Sequence, residues 1–290
     1  MSFANQLTAR AAEVQTALDQ TLGIYGANDV ADGMRYATRG GKRLRGFLVM
    51  EGAGLFDVPG QQSRWAAAAI ECVHAYSLVH DDLPCMDDDD LRRGQPTVHK
   101  KWDEATAVLV GDALQTVAYE ILSDPKAHPS ADVRVALIRT LSEASGAAGM
   151  VLGQAQDIAA ETAAAPLGLS EITDLQANKT GALIRWSAEA GALLAQEDPA
   201  PLRRYAEALG LAFQIADDIL DVEGDEAKTG KRVGKDADAG KATFVSLLGL
   251  NGAKSKAQEL VVEAIDALSL YSAQADYLRT AAEFVVSRDM

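Results

Sequence analysis

The chain has 290 residues, 48% of them apolar and 24% charged, ordinary proportions for a globular protein, which exclude a disordered or low-complexity chain. Forty-two acidic against 27 basic residues leave a formal charge of −15, which repels nucleic acid and anionic membrane and argues against either as a partner. Two cysteines, Cys72 and Cys85, cannot build a disulfide framework and fit a reducing cytoplasm, and no apolar run approaches the roughly 18 residues of a bilayer span, so no membrane anchor is expected.

At the N-terminus, MSFANQLTAR lacks the basic-then-apolar pattern of a secretory signal. Gly40-Gly41-Lys42-Arg43-Leu44-Arg45 reads as a helix start that puts Lys42 and Arg45, three apart, on one face. From Trp65 to Leu83 the spacing predicts a helix with Ile70, Val73, Ser77 and His80 or Asp81 on one stripe. Pro84 removes a backbone donor, so that helix is expected to kink or end near Leu83. Turn residues mark further breaks at 57–60, 94–96, 124–130, 165–170 and 197–201. Ser170, with Asp174 nearby, and Asp198 before Pro199 read as helix starts. Leu202, Tyr205, Leu209, Phe213, Ala216 and Leu220 form a second stripe; Leu260, Ile265, Leu268 and Tyr271 form a third. The long polar, glycine- and lysine-bearing stretch at 224–240 is expected to be a mobile lid. Strand-like alternation is absent, and no linker composition divides the chain. The expectation is a single all-α domain over residues 1–290, built from about ten or more helices.

Two acidic motifs carry the chemistry. The first is His80-Asp81-Asp82-Leu83-Pro84-Cys85-Met86-Asp87-Asp88-Asp89-Asp90-Leu91-Arg92-Arg93-Gly94. The second is Gln214-Ile215-Ala216-Asp217-Asp218-Ile219-Leu220-Asp221, whose three aspartates fall on one helix face. Like charges about 4 Å apart repel by about 1 kcal/mol in water and about 4 kcal/mol at an effective dielectric of 20. A divalent cation reverses that sign. Each motif follows an apolar helical stretch, which is expected to point its carboxylates inward. Asp87 lies six residues after Asp81, off its face, and converges with it only if the Pro-containing insert re-registers the chain. Neither motif has the alternating ligands, central glycine and distal glutamate of an EF-hand. Oxygen-only donors suit magnesium completed by substrate phosphates. A solvated acidic face is the competing reading, most of all for 87–90.

A phosphate site in so acidic a chain needs local cations, and the candidates are Lys42, Arg45, Arg92, Arg93, Lys231 and Lys241. His74, seven residues before Asp81 on the same face, is as fit for a phosphate contact as for a place in the core. His80, His99 and His128 read as structural. Neither 40–42 nor 224–232 has the spacing and hydroxyl residue of a P-loop.

Together these residues resemble the trans-isoprenyl diphosphate synthases, the polyprenyl synthetase family, and within it the bacterial farnesyl-producing enzymes. The resemblance rests on GGKRLRGFL, ECVHAYSLVHDDLPCMDDDDLRRG, GDALQT, GMVLGQAQD, KTGALI, FQIADDILD and TGKRVGKD, in that order. It implies the isoprenoid synthase fold, a single helical bundle around a deep central cavity with the two Asp-rich helices facing each other, in a homodimer. Asp81, Asp87 and Asp217 would bind three magnesium ions that bridge to an allylic diphosphate, supported by Asp82, Asp218 and Asp221. Arg92, Lys179, Gln214, Lys231 and Lys241 would contact the allylic diphosphate; Lys42, Arg45, His74 and Arg93 would hold isopentenyl diphosphate. Thr180, the Lys179 carbonyl and Gln214 would sit near the allylic cation as dipoles. Family members usually carry proline where this chain has Gly46, and whether Asp87 or Asp88 is the distal ligand rests on family spacing.

Bulk upstream of the first aspartate sets product length in this family. Tyr76 lies five residues before Asp81 and Ser77 four before, and with the Pro84-Cys85 insert they imply a C15 product, farnesyl diphosphate. A C20, geranylgeranyl product is the alternative. A terpene cyclase would usually replace the second motif, and a non-catalytic partner subunit would tend to lose both.

Overall fold

Four consecutive alanines at 66–69 have little bulk and no rotamer entropy to lose, so a helix through them can be wrapped on every side. In the computed structural model, which describes residues 2–163, 165–223 and 242–287, that is what happens. The helix, α4 (Gly60–Asp81), buries residues on all faces from Ser63 to Val79, so the single stripe read from the sequence is too narrow. Before it come α1 (Phe3–Leu22), α2 (Asp29–Ala37) and α3 (Leu44–Gly54). After it come a two-residue antiparallel pair, β1 (Leu91–Arg92) and β2 (Gln95–Pro96), then α5 (Val98–Lys101), α6 (Glu104–Ser123), α7 (Ala131–Ser145) and α8 (Met150–Glu161). Next are α9 (Leu169–Gln176), a π-helical turn (Ala177–Gly181), α10 (Ala182–Ala195), α11 (Ala200–Glu223), α12 (Phe244–Ala267) and α13 (Asp276–Ser287). The all-α expectation holds.

The chain divides into two compact units, Met1–Arg139 with Leu193–Glu197, and Thr140–Ala192 with Asp198–Met290. In the first, α3 and α6 pack on α4 around Phe47, Leu48, Ile70, Leu114 and Leu122, each fully buried. Each such side chain contributes about 1.5–3 kcal/mol relative to exposure. In the second, α11 packs on α12 and α13 around Tyr205 and Phe244, and the buried Tyr205 hydroxyl donates to the Leu278 carbonyl at 2.8 Å. Trp186 of α10 donates its indole N–H to Thr140 Oγ1 at 3.0 Å.

Helix starts follow the predicted residues closely. The Asp198 carboxylate accepts from Ala200 N at 3.0 Å as α11 begins, and α9 starts at Leu169, one residue ahead of Ser170. The third stripe is a correction: α12 ends at Ala267, so the buried Leu268 caps it and the half-buried Tyr271 lies beyond, in a turn whose apolar residues happen to fall at helical spacing. Two helical stretches, Glu104–Ser123 and Ala131–Glu161, are long and apolar enough by length and composition to cross a membrane, although neither is an uninterrupted apolar run. The expected lid at 224–240 lies outside the described residues.

Candidate functional site

The first acidic motif sits where α4 stops, with Asp81 its last residue and Asp82 its cap. The Pro84-Cys85 insert turns the chain back on itself: Met86 N–H donates to the Leu83 carbonyl at 2.9 Å, Asp88 N–H to the same carbonyl at 3.1 Å, and Asp87 N–H to the Asp81 carbonyl at 2.8 Å. The re-registration that Asp87 needed is therefore present. Asp82 turns inward and is 3% exposed, whereas Asp87 and Asp88 are exposed, so only part of the motif points into the protein. Arg92 grips Asp82 through Nε at 2.9 Å and through Nη2, and reaches Asp89 at 3.3 Å. Burial raises the Asp82 carboxyl above its usual range, and Arg92 pulls against that rise.

Arg92 is held in place by a hairpin that the sequence did not announce, because two residues per strand are too few for alternation. Its loop residues, Arg93 and Gly94, have φ of 55° and 74°, the two positive values of a type I′ turn. The turn sends neighbouring guanidinium groups apart: Arg92 goes to the aspartates, and Arg93 donates to the carbonyls of Arg39 and Gly40 at 3.1 and 3.3 Å. Gly41 must be glycine here, since its φ is 81° and a Cβ would lie 2.9 Å from Arg93 Cζ.

Lys42 and Arg45 do not share a helix face. Helix α3 begins at Leu44 behind a left-handed Arg43, so Lys42 is an exposed loop residue and only Arg45 is helical. Glycine-driven positive φ at 40 and 41 overrides the helical spacing there. Beside them His74 is pushed well below the ordinary histidine range, by burial first and then by Arg45, Arg93, Arg43 and Arg92. Arg43 and Arg92 are already paired with Glu71 and Asp82, so Arg45 and Arg93 are the other two cations beside the imidazole, which when neutral has one N–H to donate. The sign of its linkage is fixed: the unfolded chain takes up the proton first, so stability falls as pH drops below about 6.5 toward the depressed folded value. Between pH 7 and 5 the wild type is expected to lose more melting temperature than His74→Gln; equal losses would contradict the neutral imidazole.

The second motif lies in the second unit, on the last two turns of α11. At about 100° per residue, Gln214, Asp217 and Asp221 fall within an arc of about 60°. Asp218 lies to one side of that arc, is 9% exposed, and accepts Phe244 N–H at 2.7 Å, fixing the start of α12 beside its Thr243 cap. Asp218→Ala is therefore expected to cost about 1.5–3 kcal/mol in urea unfolding, against under about 0.5 kcal/mol for the exposed Asp217→Ala. The reverse order would contradict this division.

Near it, the π-helical turn carries Lys179 and Thr180. The turn lies directly on α8: a Cβ at Gly153 would fall 2.0 Å from Lys179 N. Lys179 Nζ pairs with Asp157 at 2.5 Å, Asn178 donates to Gln156 at 3.1 Å, and Gln214 donates to Gln176 at 2.6 Å. Asp157, Gln156 and Gln176 are additions to the predicted set. The first two lie in GMVLGQAQD, but no spacing rule reveals that a π-turn brings Lys179 onto them.

Tyr76 is 7% exposed on α4, edge-on to His80 with ring centroids 5.8 Å apart. Burial pushes its phenol up to about 12, and Gln115 of α6 lies near the hydroxyl but outside hydrogen-bond geometry. Ser77 is half-buried and donates to the His74 carbonyl at 3.0 Å. His80, 3.0 Å from the Val108 carbonyl, and His99, 3.1 Å from Thr97 Oγ1, are tied to the protein, as their structural reading expects. Lys231 and Lys241 lie outside the described residues. A cavity of about 340 Å³ opens among Leu169, Leu211, Ile215, Phe244 and Leu248, and no predicted site residue lines it.

The first acidic motif stands at the C-terminus of α4, the negative end of its macrodipole, where a carboxylate is repelled and a cation favoured. Among the described residues no three His, Cys, Asp or Glu side chains already meet at one point. Incomplete sets of hard oxygen donors fit magnesium, which keeps coordination sites for water and phosphate.

Comparison with known proteins bears on what such an arrangement does. Residues 28–278 match the polyprenyl synthetase family model. The chain is 45% identical to a farnesyl diphosphate synthase of Escherichia coli K12, covering all of both chains. It is also 45% identical to a farnesyl diphosphate synthase of Haemophilus influenzae, over 95% of this chain and 96% of the other. A solved structure of an FPP/GFPP synthase from Zymomonas mobilis superposes with a TM-score of 0.89 at 46% identity, covering 98% of this chain and 99% of that one.

Proposed function

The chain belongs to the polyprenyl synthetase family, and from that premise we propose that it makes farnesyl diphosphate, joining isopentenyl diphosphate head-to-tail to dimethylallyl and then geranyl diphosphate. It is a transferase with the all-α isoprenoid synthase fold, and we read 1–290 as one catalytic domain. The observation that carries the proposal is the acidic motif at the end of α4, in the same unit as a separate cationic group, Arg45 and Arg93, beside His74. Two diphosphates need two kinds of grip, one through metal and one through protein cations.

Asp81, Asp87 and Asp217 would hold magnesium, three ions with substrate bound. Asp221 supports them directly, while Asp82 and Asp218 support them by fixing Arg92 and the start of α12. Bound magnesium supplies positive charge against the departing diphosphate as the allylic C–O bond breaks. Arg92, Lys179, Gln214, Lys231 and Lys241 hold that diphosphate, with Asp157 keeping Lys179 oriented until substrate arrives. Lys42, Arg45, His74 and Arg93 hold isopentenyl diphosphate so that its double bond attacks the allylic carbon. A C–C bond forms, a proton is lost, and the released diphosphate accepts it. Thr180, the Lys179 carbonyl and Gln214 face the cation with oxygen dipoles. Water must stay out, since it would capture the cation.

A homodimer is part of the proposal. Exposed Val108 and Leu109 on α6 and Val151, Leu152 and Ile158 on α8 support a second copy as the cover for otherwise hydrated apolar surface. The acidic charge and two free cysteines support a cytoplasmic location. The test is diphosphate release. The proposal expects release that requires isopentenyl and geranyl diphosphate together with magnesium. Release from geranyl diphosphate alone would make the chain a cyclase, and none under any condition a partner subunit.

A further inference from the structure

Helix α3 begins without a side-chain cap. Its N-cap, Arg43, has a φ of 53° and gives the first turn no side-chain hydrogen bond. The N–H of Gly46, third in the helix, has no partner within α3 and is taken instead by Glu71 Oε1 of α4 at 2.9 Å. The other Glu71 oxygen meets Arg43 Nη1 at 3.3 Å. Arg43 Nη2 donates to Gln15 Oε1 at 2.7 Å and to the Thr38 carbonyl. The Arg43 and Glu71 side chains are only 3% and 2% exposed, and the mechanism above uses neither.

A pair buried this deeply adds little net stability over an apolar pair of the same volume. What it does is fix position. Arg43 follows Lys42 in the loop; Gly46 follows Arg45 in the helix; Glu71 stands one turn before His74 on α4. One carboxylate thus ties together the three backbone segments that carry Lys42, Arg45 and His74. We propose that Glu71 is the positioning residue of the isopentenyl diphosphate site and that the Gly46 N–H is its matched partner. The proposal rests on the assignment of Lys42, Arg45 and His74 to that site. Proline, usual at this position in the resembling family, has no N–H to give, so the Gly46–Glu71 bond belongs to chains with a donor at 46. Space is tight as well: a Cβ at Gly46 would lie 3.1 Å from Val14 Cγ2 and 3.5 Å from Glu71 Cγ.

The experiment varies isopentenyl and geranyl diphosphate separately in steady-state assays of the full chain, with melting temperature alongside. Glu71→Gln is expected to raise KM for isopentenyl diphosphate about tenfold or more, with KM for geranyl diphosphate within about twofold and kcat within about threefold. Gly46→Pro, which removes the donor and also sets a ring against Val14 and Glu71, is expected to shift the same KM about threefold or more. Glu71→Asp should fall between wild type and Glu71→Gln. An unchanged isopentenyl KM in Glu71→Gln, or an equal rise in both KM values, overturns the positioning role. If Glu71→Gln does not fold, Gly46→Pro decides on the same comparison. Lys42→Ala separates the two levels: if it leaves the isopentenyl KM unchanged, the site assignment itself falls.

Discussion

In the Asp81→Asn and Asp217→Asn variants, turnover is expected to fall about a thousandfold or more, while melting temperature changes little. Each substitution removes anionic oxygen from a point where positive charge must be held against a departing diphosphate. Such a loss is worth about 4 kcal/mol of transition-state stabilisation, or roughly a factor of a thousand. The stability side runs the other way. Asp81 is the last residue of α4, where the macrodipole repels a carboxylate by about 0.3–1 kcal/mol, and Asp217 is exposed, so neutralising either costs the fold little. The pairing of a large kcat loss with an unaltered fold separates a functional carboxylate from a structural one. Asp218 is the internal control, since its contact with Phe244 N–H predicts a stability loss. Single-turnover rates at saturating magnesium, with thermal melts of the same samples, give both readings. A loss of under tenfold in both variants would contradict the assigned roles.

The second large effect is on product length. Tyr76→Ala is expected to shift the main product from C15 to C20. Tyr76 lies five residues before Asp81 on an unbroken helix, which places it about 7.5 Å up the axis from the first motif. It is buried, so its removal opens space rather than being filled by solvent-facing rearrangement, at a stability cost of roughly 3–5 kcal/mol as for other aromatic truncations. Tyr76→Phe keeps the ring and should keep C15, because the buried hydroxyl makes no hydrogen bond among the described residues. Mass spectrometry of extracted products decides. An unchanged C15 profile from a folded Tyr76→Ala would remove Tyr76 as the floor of the pocket.

Much of this was legible in the sequence because helices advertise themselves through spacing. The stretch from Ile70 to Asp81 and the one from Leu202 to Leu220 each became helical, and α4 stopped at Asp81, close to the end expected near Leu83. What stayed hidden was set by backbone conformations that spacing cannot encode. Positive φ at 40, 41 and 43 moved Lys42 off the helix it was expected to share with Arg45. A two-residue hairpin, too short to alternate, turned Arg92 and Arg93 in different directions. A π-turn set Lys179 against Asp157, 22 residues upstream. The second aspartate of each motif, Asp82 and Asp218, is indistinguishable from its neighbour in sequence, yet each is buried on a protein partner, Arg92 and Phe244 N–H. Glu71 was passed over for a simple reason: nothing in ECVHAYS separates a surface glutamate from one that holds two buried donors.

The central claim is tested most directly by incubating the purified chain with isopentenyl and geranyl diphosphate, with and without magnesium, and reading product length by mass spectrometry. The account predicts a C15 diphosphate that forms only with magnesium. A C20 product would contradict the Tyr76 floor while leaving the chemistry standing, and no condensation with magnesium present would contradict the account at its root.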